Sequence, residues 1–122
     1  MKKQILVALA LSSGISIAHA AGDVVAGKLA FAKCANCHQV GPSARGAFGP
    51  QLNAIVGRQA GTSKDFKYSP AMINSRIVWS EASLRAFIKS PDDVVPDNKM
   101  RFYGISNEKQ LADLIAYLRQ FE

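Results

Sequence analysis

Cys34 and Cys37 are separated by two residues, and His38 follows the second cysteine directly. Two thiols at this spacing can each add across one vinyl group of a haem, giving two thioethers. The adjoining imidazole is then held against one face of the porphyrin, within reach of iron. Cys-x-x-Cys-His is accordingly the attachment signature of c-type haem. Two other chemistries use paired cysteines. A structural zinc site needs four ligands, and beyond the motif the chain holds no further cysteine and only His19. A thioredoxin-like dithiol sits near a βαβ pattern, and no strand-like run precedes Cys34. Covalent haem is the reading these residues support.

Iron bound by His38 on one face needs a donor on the other. The thioethers on offer are Met72 and Met100. A methionine is ordinarily core filler, and Met72, on a predicted short helix, is read that way. Met100 lies in the polar run Pro96-Asp97-Asn98-Lys99-Met100, where an apolar residue has little structural reason to be. It follows His38 by 62 residues, enough chain to pass round the edge of a haem. A His/Met pair is the ligation of electron-transfer cytochromes, so Met100 is the favoured second ligand.

The elements that must position these residues are helical. Asp23 can cap a helix running to about Lys33, with Val24, Gly27 and Phe31 on one face. Gly27 is costly inside a helix, and close approach of another helix is a reason to keep it. Gly41 to Pro50 reads as a loop. Gln51 to Val56 is predicted as a short helix stopped by Gly57, and Arg58 to Tyr68 as polar loop. Ser69-Pro70 predicts a brief helix through Ser75. Ser80 opens a clearer one, with Trp79 and Leu84 spaced as a hydrophobic staple, Leu84, Phe87 and Ile88 as its buried stripe, and Pro91 as its stop. Pro91 to Gly104 is predicted as loop. Asn107 and Gln110 cap the strongest helix, whose apolar positions are Leu111, Leu114, Ile115 and Leu118, with Arg119 in the last turn. The expected fold class is all-α with long loops, and loops of that length in a small domain suggest a function.

Residues 1–20 have the form of a secretory signal peptide. Lys2 and Lys3 are followed by the apolar run Ile5 to Leu11, and Ala18-His19-Ala20 presents small residues at a cleavage site. The run is shorter than the roughly 20 apolar residues of a spanning helix. Cleavage after Ala20 leaves residues 21–122, one domain of 102 residues, with His38 as its sole imidazole. The whole chain carries 15 basic and 9 acidic residues, a formal +6, which loss of Lys2 and Lys3 lowers to +4. That moderate, scattered charge can steer binding to an acidic protein patch but does not indicate nucleic acid or a lipid-binding cluster. An exported, soluble, monomeric protein without stable membrane insertion is expected, and export suits thioethers that bacteria make outside the cytoplasmic membrane.

Over nearly all of residues 21–122 the chain resembles the class I cytochrome c family, in particular its short mitochondrial-like bacterial branch. The likeness rests on Gly27 and Phe31, the motif from Cys34 to His38, Gly49-Pro50-Gln51-Leu52 and Gly57-Arg58. It continues through Phe66 and Tyr68, Trp79, Pro91, the Pro96 to Met100 run and Asp113-Leu114-Ile115-Ala116-Tyr117-Leu118. The resemblance implies a small haem-wrapping fold in which the first and last helices cross, Gly27 and Phe31 packing on Leu114 and Tyr117. It implies that the Pro50 carbonyl accepts from His38 Nδ1–H. It further implies that Tyr68 and Trp79 donate to a haem propionate, that Arg58 offsets its charge, and that Asn98 stands near the Met100 sulfur and the inner propionate. Three places depart from the branch. Met72 stands where many members have a buried Asn, Phe87 where many have a Tyr, and Asp92 and Asp93 where mitochondrial members carry docking lysines.

The function implied is a periplasmic one-electron carrier with one haem c and no substrate transformed. Its donor would be of the cytochrome bc1 type, and its acceptor a terminal oxidase or other reductase. Docking is expected at a haem edge near Cys37 and Phe102, within a ring of Lys28, Lys33, Lys99 and Arg101, with Arg45 nearby. The alternative is a haem enzyme or gas binder, peroxidase-like, with an open axial position.

Overall fold

The computed structural model describes residues 22–122, so the predicted signal peptide lies outside the described residues. Five helices follow in order: α1 Val24–Phe31, α2 Pro70–Ser75, α3 Glu81–Lys89, α4 Pro91–Val94 and α5 Glu108–Leu118. Among the described residues the only β pairing is a single bridge between Gln59 and Val78.

Each long helix starts where its cap dictates. The Asp23 carboxylate accepts from the Val25 and Ala26 N–H groups. Ser80 and Ser83 close a reciprocal capping box on α3, and Asn107 accepts from the Gln110 N–H on α5. Such caps satisfy donors that the first turn leaves free. The apolar stripes then set the packing. Leu111, Leu114 and Ile115 are almost wholly buried, each worth about 1.5–3 kcal/mol by burial. Leu84, Phe87 and Ile88 turn the buried face of α3 to the same core.

α1 lies across α5 at Gly27. A Cβ on Gly27 would collide with the Asp113 carbonyl and come 2.7 Å from Tyr117 Cβ, so only glycine lets the two backbones approach. Gly22 is held equally close to the Ala112 carbonyl. The Phe31 and Tyr117 rings meet at 5.4 Å, and Tyr117 meets Phe121 at 5.1 Å. Asp113, buried on α5, accepts from the Asp23 backbone N–H at 2.8 Å and pairs with Lys109 at 2.6 Å. Val24, predicted on one face with the buried Gly27 and Phe31, is 37% exposed.

Two sequence expectations are corrected. Residues 51–56 form turns and no helix. Ala54 adopts a left-handed φ of 50°, and the backbone groups find partners elsewhere. Leu52 N–H donates to the Gln39 carbonyl, Ala54 N–H to that of Phe121, and the Arg58 guanidinium donates to the carbonyls of Gln51 and Asn53. Tertiary partners thus replace the local ladder. The second correction is at Pro91, which ends α3 but also opens α4. Proline suits a first helical position because its missing N–H is not needed there.

Candidate haem site

The haem-motif residues continue the winding of α1. Cys34 N–H donates to the Phe31 carbonyl at 2.8 Å, and Cys37 and His38 N–H groups both donate to the Cys34 carbonyl, at 3.0 and 2.9 Å. These turns put Cys34, Cys37 and His38 on the wall of one cavity of about 420 Å³. The imidazole is fixed there from two sides. Its Nδ1 lies 2.8 Å from the Pro50 carbonyl oxygen, an acceptor only, so Nδ1 carries the proton and Nε2 keeps its lone pair. Gly49 lies flat against the ring, where a Cβ would stand 2.6 Å from Cε1. Burial pushes the His38 pKa below its ordinary value, with the Pro50 bond opposing and Arg58 adding to it. Burial also pushes the Cys34 thiol up to about 11, against the pull of Lys33 and with a contribution from Cys37. A protonated, half-buried thiol lacks the depressed pKa of a redox dithiol.

Pro50, Arg58, Tyr68, Trp79, Met72 and Met100 line the same cavity. Its wall is mostly apolar, and its charged members are Lys33, Arg58, Lys99 and Arg101, with no carboxylate among them. Arg58 has no carboxylate within ion-pair distance among the described residues. Burial holds its pKa below the ordinary arginine value, with Tyr68 and Asp65 opposing. Trp79 is buried at 6% exposure, packs its ring 5.0 Å from Phe87, and its indole N–H finds no acceptor among the described residues. A large flat apolar body bearing anionic carboxylates fits these features. The lining matches its rings, and the half-buried guanidinium and the free indole donor match its acids.

Asn98 is the site residue not brought to this wall. It is buried at 8% exposure, and both amide hydrogens are used, one to Asp92 Oδ1 and one to the Val95 carbonyl, each at 2.9 Å. Its Oδ1 accepts from the Met100 backbone N–H at 2.7 Å. Next to Met100 in the chain, Lys99 Nζ donates to the Lys67 carbonyl at 2.6 Å and stands 6.0 Å from the Phe66 ring centre. Resemblance placed Asn98 near Met100, but its bond to the Met100 backbone, the Lys99 grip and the contact of Gly49 with His38 were missed. The glycine beside Pro50 was a signal for the last; nothing in the pattern signals the first two.

The family model described as cytochrome c matches residues 24–122. This chain belongs to the cytochrome c family. It is 48% identical over 101 residues to cytochrome c2 of Rhodomicrobium vannielii, covering 83% of this chain and 81% of that protein. It is 46% identical over 101 residues to cytochrome c-550 of Nitrobacter winogradskyi, covering 83% and 93%. Among solved structures it is similar to cytochrome cH of Methylobacterium extorquens, with a TM-score of 0.76 and 38% identity over 81% of this chain and 99% of that one. The helical class I cytochrome c fold is thereby established, and with it a covalently attached haem c containing iron, which the two cysteines fit.

Proposed function

We propose that this cytochrome is a periplasmic one-electron carrier in which His38 Nε2 and the Met100 sulfur hold the haem iron. The observation that carries the reading is the His38 ring. It is locked by Pro50 and Gly49 with Nε2 bare, on the wall of a cavity that Met100 shares. Bound there, haem c supplies a ferric/ferrous couple that exchanges one electron. Cys34 and Cys37 anchor it covalently. Pro50 sets the tautomer and orientation of the histidine. Arg58, Tyr68 and Trp79 meet the propionates. The apolar wall keeps water out and lowers the local dielectric, which with a thioether ligand favours the reduced state. Lys33, Lys99 and Arg101 at the cavity mouth steer an acidic partner. That partner is a bc1-type donor on one side of the cycle and an oxidase or other reductase on the other. Residues 1–20 act as an export signal cut after Ala20, and the released domain works as a monomer. No helix among the described residues is long and apolar enough to cross a membrane.

The test is direct. Intact mass of the periplasmic protein is expected to equal residues 21–122 plus one haem, and the haem is expected to survive acid–acetone extraction. Met100→Ala is expected to abolish the weak ferric iron–thioether absorption band, lower the potential and admit cyanide. Met72→Leu is expected to leave all three unchanged. Extractable haem, or a band that survives Met100→Ala, overturns the reading.

A further inference from the structure

Asp92 lies in the first turn of α4, on the surface, where its carboxylate would be expected to act only as a local charge. It does something more specific. Asp92 Oδ1 accepts one hydrogen of the Asn98 amide at 2.9 Å, and the Val95 carbonyl accepts the other at the same distance. Both partners are acceptors only. The Met100 N–H, 2.7 Å from Asn98 Oδ1, is a donor only. The three contacts therefore fix the amide in one orientation, with no flipped arrangement able to satisfy them. The backbone cooperates. Asp97 takes a left-handed φ of 64°, and Asn98 N–H returns to the Val95 carbonyl at 3.2 Å, so the chain folds back over α4 just before Met100.

We infer that Asp92 is a positioning residue for the iron ligand Met100, acting through Asn98. The inference rests on the reading of Met100 as ligand. The Asp92 carboxylate and the Val95 carbonyl orient Asn98, and Asn98 holds the Met100 peptide. The side chain of Met100 is thereby held toward the cavity it shares with His38. The hydrogen bond to a carboxylate is of the stronger, charge-assisted kind. An Asn98 turned over would present N–H to the Met100 N–H and lose the contact; the Val95 carbonyl resists this, and Asp92 adds the second acceptor that strengthens the hold. The role is a property of this chain. It pairs an acid on α4 with an amide in the turn that follows α4, so neither would be assigned it alone.

The holoprotein tests this with four variants. Asp92→Ala is expected to speed imidazole binding to ferric iron by about tenfold, the scale of one lost charge-assisted hydrogen bond. It is also expected to weaken the iron–thioether band, lower the potential and speed hydrogen exchange at the Met100 amide. Asp92→Asn keeps an acceptor oxygen without the charge and is expected to recover most of the parental behaviour in all four readouts. Asp93→Ala, in the same turn but bonded only to the Ser90 hydroxyl, is expected to change none. If Asp92→Asn fails together with Asp92→Ala, charge and not the grip on Asn98 is what matters, and the inference falls. If Asp92→Ala matches the parent while Met100→Ala loses the band, the inference alone falls. A band that survives Met100→Ala removes the ligand reading and the inference with it.

Discussion

The α1–α5 crossing and the Pro91–Gly104 segment both frame the haem cavity, and they are held by different forces. At the crossing two helices press together along buried carbon. Gly27 admits the Asp113 carbonyl and Tyr117, the Phe31 ring packs at a tilt against Tyr117, and Leu111, Leu114 and Ile115 are buried alongside. The segment carrying Met100 is anchored in the core by Val95, with Val94, Met100 and Phe102 packed against it, but its turn from Asp97 to Lys99 is polar. It hangs on side-chain hydrogen bonds from Asn98 and Lys99. Apolar packing spreads its free energy over many small contacts, whereas a grip made of two or three hydrogen bonds can be undone singly. The crossing serves as the rigid back of the molecule. The ligand segment is the part whose hold on iron can be tuned by one residue.

Overpacking the crossing should give the larger effect on stability. Gly27→Val is expected to cost about 1–3 kcal/mol or more, the range for overpacking, because the new side chain meets backbone that cannot rotate away. A denaturation midpoint equal to the parent's would show that the helices do not meet at Gly27. Potential and ligand binding in the surviving folded fraction are expected to stay parental, in contrast to the Asp92 variants.

The crossing also has one polar fastening. Asp113 has its pKa held below the ordinary carboxylate value, first by the Lys109 ammonium and then by the Asp23 N–H, against the cost of burial. A carboxyl whose folded pKa lies below its unfolded one stabilises the fold fully above the unfolded value, roughly 3.9. The contribution is lost as pH falls through the depressed folded value. Asp113→Asn is therefore expected to lower the melting temperature at pH 7, with the gap from the parent narrowing in acid. A gap that holds constant with pH would assign the loss to packing.

How much of this was legible follows the same division. Repeating apolar positions revealed α5 and α3, because a buried stripe must recur with the helix period. Asp23, Ser80 and Asn107 revealed where helices start, because a cap acts on its own neighbours. The motif at Cys34 to His38 revealed the cofactor, because covalent attachment demands fixed spacing. What escaped depends on partners distant in sequence. The turn at Ala54 is held by Gln39, Phe121 and the Arg58 guanidinium, none of which a local pattern can weigh. Resemblance placed Asn98 near the Met100 sulfur and the inner propionate, but its bonds to Asp92 and to the Met100 peptide have no local pattern to announce them. The resemblance included Asp113 without a role, since its hold on the Asp23 N–H exists only where α1 crosses α5.

The smallest expected effects separate charge from grip at the cavity mouth. Lys33 and Lys99 both line it, and as bare charges they would be interchangeable in steering an acidic partner. They are not equivalent in structure. Lys33 is exposed and makes no side-chain hydrogen bond among the described residues. Lys99 is spent on the Lys67 carbonyl and the Phe66 ring, and so fastens the strand of chain that carries Met100. Salt screens steering over a Debye length of about 8 Å at physiological ionic strength, but it leaves a short hydrogen-bonded strap largely intact. Lys33→Glu is therefore expected to slow electron transfer to an acidic partner a few-fold at low salt, with the loss vanishing in high salt. Lys99→Met is expected to slow it less at low salt, but to leave a residue of faster imidazole binding that no salt removes. Stopped-flow rates across ionic strength, read beside imidazole binding to the same proteins, check both. If the two variants behave alike in salt and neither admits imidazole faster, Lys99 is a docking charge only. Asn98 is then the one side chain whose hydrogen bond steadies the Met100 peptide.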